Sequence, residues 1–321
     1  MSDQLSPEDL IRLCYLGVLG REAESEAVIA ERMQLNMPPE EVIRSFVMSE
    51  EFRNQVTPGI VSEYLTHNQT YDTLDIEVDV DPATLAHMFE RIKGEWAALG
   101  ETEPYWSVLT ADEFRRENVQ ANLDRFFQSG HGNVEWMRNV ARRNGIELGA
   151  HQSCFELGCG VGRVTLPLST LFDHVTAFDI SPGNLRECEA VMNARGQTNV
   201  STHLLTGIEA LRDVQPFDVL FTIIVLQHNP PPVQKYILDV LLDKVNPGGV
   251  TYFQLPTYMH GYSFSAQAYL EDIAHEMEMH ALPMQQVMTL FHDKGFRVQE
   301  VIQDQFTGIA GSHTFLATKT A

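Results

Sequence analysis

Cys154-Phe155-Glu156-Leu157-Gly158-Cys159-Gly160-Val161-Gly162-Arg163-Val164-Thr165 is the stretch on which the reading of this chain turns. A short apolar run carries an acidic residue near its end, passes through glycines at every second position, and continues through Val164 to Phe172 with helical apolar spacing. That order is a strand, a tight turn and a helix start. Glycine is needed where the backbone takes a positive φ or a ligand comes close, and the helix N-terminus beyond offers unpaired N–H groups. Val175 to Asp179 then reads as a second strand ending in a carboxylate about twenty residues on, where a ribose diol would be held. The glycines do not have the G-x-G-x-x-G spacing of dinucleotide folds, and Glu156 precedes them.

Outward from this turn, strand patterns at Val200 to Leu205, Phe217 to Ile223 and Gly249 to Leu255 alternate with helical ones. The alternation predicts an α/β domain with a doubly wound parallel sheet, its ligand beyond the C-terminal strand ends. Two late strands, Phe296 to Ile302 and His313 to Thr318, follow Gly295. Upstream, helices are expected at Thr84 to Leu99, Ala111 to Ser129 and Asn133 to Asn144. Ser6-Pro7-Glu8-Asp9 opens a first helix, a second is expected from Glu22 to Met33, and Pro38-Pro39-Glu40-Glu41 opens a third. Thr66 to Pro82 is polar and acidic, and reads as a loosely packed connector. Its acids, Asp72, Asp75, Glu77, Asp79 and Asp81, lack the spacing and the glycine of an EF-hand.

Glu156-x-Gly158-x-Gly160-x-Gly162, followed by Asp179, resembles motif I and the second-strand acid of class I S-adenosylmethionine (SAM) methyltransferases, over roughly Ser153 to the C-terminus. The resemblance implies a seven-stranded Rossmann-like methyltransferase sheet with an antiparallel last strand, SAM as cofactor, and a helical lid before the first strand. It implies that Gly158, Cys159, Gly160 and Gly162 pass along the amino-acid portion of SAM, with Glu156 orienting the turn or reaching the methionyl amine through water. Asp179 would accept both ribose hydroxyls, and Ile180 would pack on adenine. Many relatives end the third strand in an acid, whereas this chain has Leu204-Leu205-Thr206, so adenine recognition falls to the backbone or Thr206. Gln227 and His228, after the fourth strand, would lie beside the methyl group. Asn229-Pro230-Pro231-Pro232 lacks the aromatic of the amide-methylating N-P-P-Y motif.

A second resemblance covers residues 6 to 54. Tyr15 to Glu22, Pro39-Glu40-Glu41-Val42-Ile43 with Phe46, and Ser49-Glu50-Glu51-Phe52 are similar to a small helical domain of unknown function found on bacterial surface proteins, glycosyltransferases and methyltransferases. It implies docking to a protein partner; a stabilising helical cap is the alternative. The expected organisation is therefore a small all-helical module (1–65), an acidic linker (66–83), a helical cap or lid (84–150) and the SAM-dependent methyltransferase domain (151–321).

A net charge of −22 sets a repulsive average field against nucleic acid. No apolar run reaches the roughly eighteen residues of a membrane span, and the acidic N-terminus has no signal-peptide order. Cys14, Cys154, Cys159 and Cys188 form no C-x-x-C pair and read as reduced thiols. The chain is expected in the cytoplasm.

His228 is the candidate general base for a hydroxyl acceptor, or else a helix cap. Between the fifth strand and Met284 an insertion of about thirty residues is expected to build the acceptor pocket. It brings Tyr258 and His260 as candidate substrate contacts and His280 as a second candidate base. Tyr105 and Trp106, ahead of the first strand, could shield the sulfonium or stack on substrate, and could equally be core. His275 and His280 are five apart rather than the four of H-E-x-x-H, so no metal is expected, and Glu276 to Ala281 alternates like a strand with one wet face. Together these readings point to SAM-dependent O-methylation of a sugar or other small hydroxylated acceptor, and the N-terminal resemblance implies a setting in surface polysaccharide biosynthesis. The alternatives are methylation of another small molecule or peptide, and a SAM-binding regulator without turnover.

Overall fold

The computed structural model describes residues 6–49, 51–52, 74–272, 277–304 and 306–320. The chain divides into two compact units, Met1–Asp72 and Thr73–Ala321. Among the described residues, no helix is long and apolar enough to cross a membrane.

The first unit holds α1 (Pro7–Gly17), α2 (Glu26–Gln34) and α3 (Pro39–Val47). Ser6 caps α1 by accepting the Asp9 N–H at 3.1 Å, as its place before Pro7 predicts. The helices close over Ile11, Tyr15, Ile29, Val42 and Phe46, with Tyr15 edge-on to Phe46 at 4.8 Å. α2 starts at Glu26 rather than Glu22, because Arg21 binds the Glu22 carbonyl and the Glu24 carboxylate and holds that stretch as a turn.

In the second unit the order is α4 (Pro82–Thr102), α5 (Pro104–Val108), α6 (Leu123–Arg143), β1 (Ser153–Leu157), α7 (Thr165–Leu171), β2 (His174–Asp179), α8 (Pro182–Ala194), β3 (Val200–Leu204), β4 (Phe217–Thr222), α9 (Pro231–Lys244), β5 (Val245–Tyr258), α10 (Ala266–Glu271), α11 (Met284–Asp293), β6 (Phe296–Gln303) and β7 (Gly311–Lys319). The strands form one seven-stranded sheet in the order β3-β2-β1-β4-β5-β7-β6, parallel except for β7, which pairs antiparallel with both neighbours. Alternation along β1 sends Phe155 and Leu157 to one core and Cys154 to the core on the opposite face. Both faces are buried, which is why the central strands read as unbroken apolar runs. The strand order reverses between β1 and β4, so the crevice above their C-terminal ends is the switch point where a doubly wound sheet takes its ligand.

Two expectations upstream of the sheet are corrected. Residues 74–81 are not a loose connector. Ile76 bridges to Phe264, and Ile76, Val78 and Val80 pack on the main core. The acids have structural tasks: Glu77 accepts the Ala266 N–H at 2.7 Å, Asp79 pairs with Lys235 at 2.6 Å, and Asp81 caps α4. Asp72 and the rest of the expected linker to 73 lie outside the described residues.

The expected helix at Ala111 to Ser129 is instead two short 3-10 turns, Asp112–Phe114 and Val119–Ala121, while α6 runs unbroken through Ser129-Gly130-His131-Gly132. Gly130 is there because α6 crosses the glycine turn so closely that a Cβ would lie 2.0 Å from the Arg163 carbonyl oxygen, whereas a Cβ at Gly132 would meet nothing within 4 Å. Gly130→Ala is therefore expected to destabilise the chain by roughly 1–3 kcal/mol through overpacking. Gly132→Ala should stabilise it by about 0.5–1 kcal/mol through helix propensity. Denaturant unfolding of the two variants side by side checks the pair.

Candidate functional site

β1 delivers Glu156 and the glycine turn to the top of the sheet. Gly158, Gly160 and Gly162 have φ of 73°, 55° and 86°, a region that side chains with a Cβ disfavour. The turn is fastened to β2. The Phe178 carbonyl accepts the N–H groups of Gly158 and Cys159 at 2.7 and 3.1 Å, and Asp179 accepts the N–H groups of Gly160 and Ser181, each at 2.8 Å. Burial pushes the Asp179 carboxyl pKa up, while these backbone donors oppose the shift and favour the charged form.

A cavity of about 290 Å³ opens above the turn, lined among others by Glu156, Gly158, Cys159, Gly160, Asp179, Ile180, Asn184, Leu205 and Gln227. Glu156 is 3 % exposed, and burial, against the opposing charge of Arg163, raises its pKa to about 7. The Arg163 guanidinium is 4 % exposed and is pushed down to about 10 by the same burial. It donates to Ser129 Oγ at 3.1 Å and Asn133 Oδ1 at 2.6 Å on α6. Glu156 Oε2, Asn184 Oδ1, Gln227 Oε1 and Arg163 Nε are buried without a partner although all four residues line the cavity. Three of these atoms are acceptors and Arg163 Nε is a donor, and buried polar atoms left unmet are costly unless a ligand supplies the partners. An ammonium and ribose hydroxyls are such partners, and Ile180 with Leu205 offers an apolar wall for a base, so the residues present fit SAM.

The remaining walls come from three elements. α4 turns Phe89, Ile92 and Trp96 inward, spaced at i, i+3 and i+7 on one helical face. Met277 and Met279 enter from the insertion, and Phe306 and Thr307 from the β6–β7 loop. At the end of β4, Ile224 lines the cavity with φ 58°, strained for a β-branched side chain by roughly 1–3 kcal/mol. Its N–H donates to Gln254 Oε1 at 2.9 Å, Gln254 Nε2 donates to Ser312 Oγ at 2.7 Å, and Ser312 Oγ donates to Asp304 at 2.7 Å. Asp304 also accepts the Phe306 N–H at 3.2 Å, so one buried chain of hydrogen bonds holds both the strained residue and the loop facing it.

His228 stands on the cavity wall, its ring 4.9 Å from that of Trp96. Nδ1 lies 3.1 Å from the Glu278 carbonyl oxygen. A carbonyl only accepts, so Nδ1 carries the proton and Nε2 keeps its lone pair, 3.3 Å from Gln227 Nε2. Burial lowers the pKa to about 4, which leaves the ring neutral at physiological pH.

Several expected site residues lie elsewhere. His280 is buried behind the wall among Tyr262, Phe264 and Tyr269, with Nδ1 2.8 Å from the Tyr262 hydroxyl, and does not line the cavity. The alternation in its segment is real but inverted in meaning. Met277 and Met279 face the cavity, whereas Glu278 turns to a partly buried ion pair with Arg91 at 2.8 Å; no strand forms there, His280 is buried, and Glu276 and His275 lie outside the described residues.

Tyr105 and Trp106 are also off the cavity. Tyr105 packs edge-on to Phe126 and donates to Glu187 at 3.2 Å, and Trp106 takes the Arg115 guanidinium over its ring at 4.3 Å. The next residues, Ser107 to Thr110, form the wall instead. Tyr258 and His260 do not line it, because β5 carries Tyr258 into pairing with Gly311 and leaves His260 at an exposed turn. Thr206 is exposed and offers its carbonyl to Lys93, with Leu205 at the cavity in its place. Gly162 packs under the turn against Cys188 and Met192 rather than lining the site.

Missed from the sequence were Trp96, Arg163 and Asn184. Arg163 sits directly after the last glycine, and Trp96 is on a periodic helical face, the signals that could have found them. Among the described residues no group of His, Cys, Asp and Glu is placed to hold a metal ion.

Because Asp179 holds the turn as well as facing the cavity, Asp179→Ala is expected to abolish SAM binding and also to cost stability, roughly 1–3 kcal/mol for each buried N–H it orphans. Calorimetric titration together with thermal unfolding checks both; an unchanged melting temperature would show that the turn does not depend on the carboxylate.

Residues 155–249, fewer than half of the chain, match the family described as a methyltransferase domain. No curated protein matches the chain. Among solved structures it is similar to the magnesium protoporphyrin IX methyltransferase of Synechocystis PCC 6803 with bound SAH, at 17% identity and a TM-score of 0.50 over 71% of this chain and 100% of that one. It is similar also to the N-methyltransferase NodS of Bradyrhizobium japonicum WM9 in complex with S-adenosyl-l-homocysteine, at 12% identity, a TM-score of 0.47, and coverage of 73% and 100%. An S-adenosylmethionine-dependent methyltransferase from Clostridium acetobutylicum ATCC 824 aligns at 13% identity and a TM-score of 0.42, over 58% of this chain and 90% of that one. Residues 155–249 thus match a methyltransferase domain, and the seven-stranded sheet that carries them has the Rossmann-like methyltransferase fold.

Proposed function

We propose that the chain transfers the methyl group of SAM to a hydroxyl of a small acceptor, with His228 taking the hydroxyl proton. The observation that carries this reading is the tautomer of His228: the Glu278 carbonyl claims Nδ1–H and leaves a lone pair on Nε2 at the cavity wall. When bound, SAM supplies an electrophilic methyl on a sulfonium. The chain's task is to align the acceptor oxygen, exclude water and receive one proton.

In this reading Gly158, Cys159 and Gly160 cradle the amino-acid portion of the cofactor, Glu156 takes its ammonium, Asp179 its ribose, and Ile180 with Leu205 its base. Gln227 Nε2, 3.3 Å from His228 Nε2, donates to that lone pair until the incoming hydroxyl displaces it, and the freed amide N–H can then donate to the acceptor oxygen. The imidazole is neutral at any pH where its pKa of about 4 is exceeded, so it is always ready to accept. It is a weaker base than an unshifted histidine, which suits a proton lost only as the new carbon–oxygen bond forms.

A saccharide acceptor draws its support from the N-terminal likeness alone, which is association and not mechanism. The N-terminal unit is proposed to dock a protein partner; Leu13, Leu16, Leu35 and Met48 are exposed on it, and every cavity-lining residue belongs to the second unit.

His228→Ala should keep SAM affinity and lower kcat by roughly a hundred-fold, the usual worth of a general base. Since a base must be unprotonated, the wild-type kcat at saturating SAM falls only as pH drops through about 4 and is flat from pH 5 to neutrality. A limb near 6.5 that vanishes in the variant would mean that the ring is not desolvated. SAM binding without methyl transfer to any hydroxyl acceptor would instead leave a binding module.

Glu156 sets a separate pH dependence. Its carboxyl, with a pKa of about 7, must be ionised to hold an ammonium, so SAM affinity is expected to fall as pH is lowered through about 7. Glu156→Gln should bind SAM more weakly and lose that dependence; calorimetry between pH 6 and 8 decides.

A further inference from the structure

Among the described residues, the charged groups of the cavity wall are Glu156, Arg163 and Asp179, His228 being neutral, and all three come from β1, its turn and the end of β2. Among the described residues, the walls built by α4, by Met277 and Met279, and by the β6–β7 loop bring no charged side chain to the cavity. Those elements do carry charges, but spend them behind the wall. Glu95 accepts the Met277 N–H at 2.5 Å, and Arg91 stacks over Tyr269 at 4.0 Å while pairing with Glu278.

Neutral polar groups there are engaged as well. Ser107 Oγ donates to the Pro104 carbonyl at 2.8 Å, Thr307 Oγ1 accepts the Ile309 N–H at 3.2 Å, and Asn229 Nδ2 donates to the Val225 carbonyl at 2.9 Å. What faces the cavity from this side is mainly Phe89, Trp96, Ile224, Met277, Met279 and Phe306, with Gln227, His228 and the Thr110 hydroxyl as the polar groups among the described residues.

A polyhydroxylated or ionised acceptor entering this half would give up water for walls that return few hydrogen bonds. A flat apolar body would gain by burial. The Trp96 face offers stacking, and the unbranched thioethers of Met277 and Met279 adapt to aromatic edges. We infer that the acceptor is a neutral, largely apolar molecule whose aromatic ring lies among Trp96, the two methionines and Phe306 and presents one phenolic hydroxyl to His228 and Gln227. This rests on the O-methylation reading for its chemistry, in which the acceptor oxygen gains the methyl and its proton passes to Nε2. It rests on the wall alone for the acceptor's class.

The test separates the two. Tryptophan fluorescence of the full chain saturated with S-adenosylhomocysteine is followed during titration with 4-hydroxybiphenyl, with 4-hydroxybenzoate and with UDP-glucose. Saturable quenching by 4-hydroxybiphenyl is expected, at least roughly tenfold tighter than by either anion. Trp96→Phe should remove most of the signal. Met279→Glu should weaken 4-hydroxybiphenyl roughly tenfold while SAM affinity is kept; Phe306→Ser gives the same reading should the first variant not fold. No saturable quenching by the neutral phenol, or tighter binding of UDP-glucose or 4-hydroxybenzoate, overturns the inference. Labelled SAM is then added to a second sample of the protein, free of S-adenosylhomocysteine, with the phenol present. Labelled methyl ether on the phenol supports both readings, whereas binding without transfer overturns the O-methylation reading and leaves the acceptor class standing.

Discussion

The rest of the site depends on one carboxylate. Asp179 ends β2, yet its two oxygens reach across to the Gly160 N–H and forward to the Ser181 N–H, fastening the turn after β1 to the start of α8. With the Phe178 carbonyl holding the Gly158 and Cys159 N–H groups, the strand ends are tied together where parallel pairing itself stops. The glycines can then keep positive φ without side chains to resist it. A carboxylate with two backbone donors still has lone pairs to spare, so structural duty does not exclude ribose binding. The same residue can thus pin the turn and still hold a ligand, as proposed above.

Around it the site concentrates buried charge. Glu156 and Arg163 lie beneath the turn, each drawn toward its neutral form by burial and each drawn back toward its charged form by the other. Such a pair is poor evidence of stability, because desolvation consumes much of the Coulomb attraction. Its unmet atoms, on two residues that line the cavity, support the proposed role in binding. Farther along the sheet, the strained Ile224 is held by Gln254 and Ser312, the latter anchored on Asp304 beside the Phe306 loop. Strain at a strand end persists only where surroundings over-determine it. This network supplies that constraint and couples two walls of the cavity.

How much was legible follows the range of each signal. The glycine turn, the acid after β2 and the alternation of strands and helices are local patterns of a few residues, and they led to the sheet, its switch point and the cofactor half of the cavity. Of the aromatics, sequence reasoning favoured Tyr105 and Trp106, adjacent and conspicuous, over Trp96. Which one faces the site depends on the rotation of α4 and α5 about their axes. That rotation is set by packing, with Tyr105 drawn to Phe126 and Trp106 to Arg115. The histidines divide in the same way: His228 follows a strand whose end is fixed by the sheet, while His280 lies in a segment whose side chains are sorted by Arg91, Tyr262 and Tyr269 from distant elements.

The sequence by itself determined the β1 turn, the Asp179 strand end and the burial of both sheet faces, because each rests on φ preference or on a periodicity that neighbouring residues carry alone. The tertiary structure alone decided the acceptor half: which side of residues 277–280 faces inward, which tautomer His228 holds, and that Gly130 lets α6 continue past the turn. These outcomes depend on contacts between residues far apart in the chain, from Arg91 to Glu278 and from Gly130 to Arg163, where no local pattern records which partner will be met.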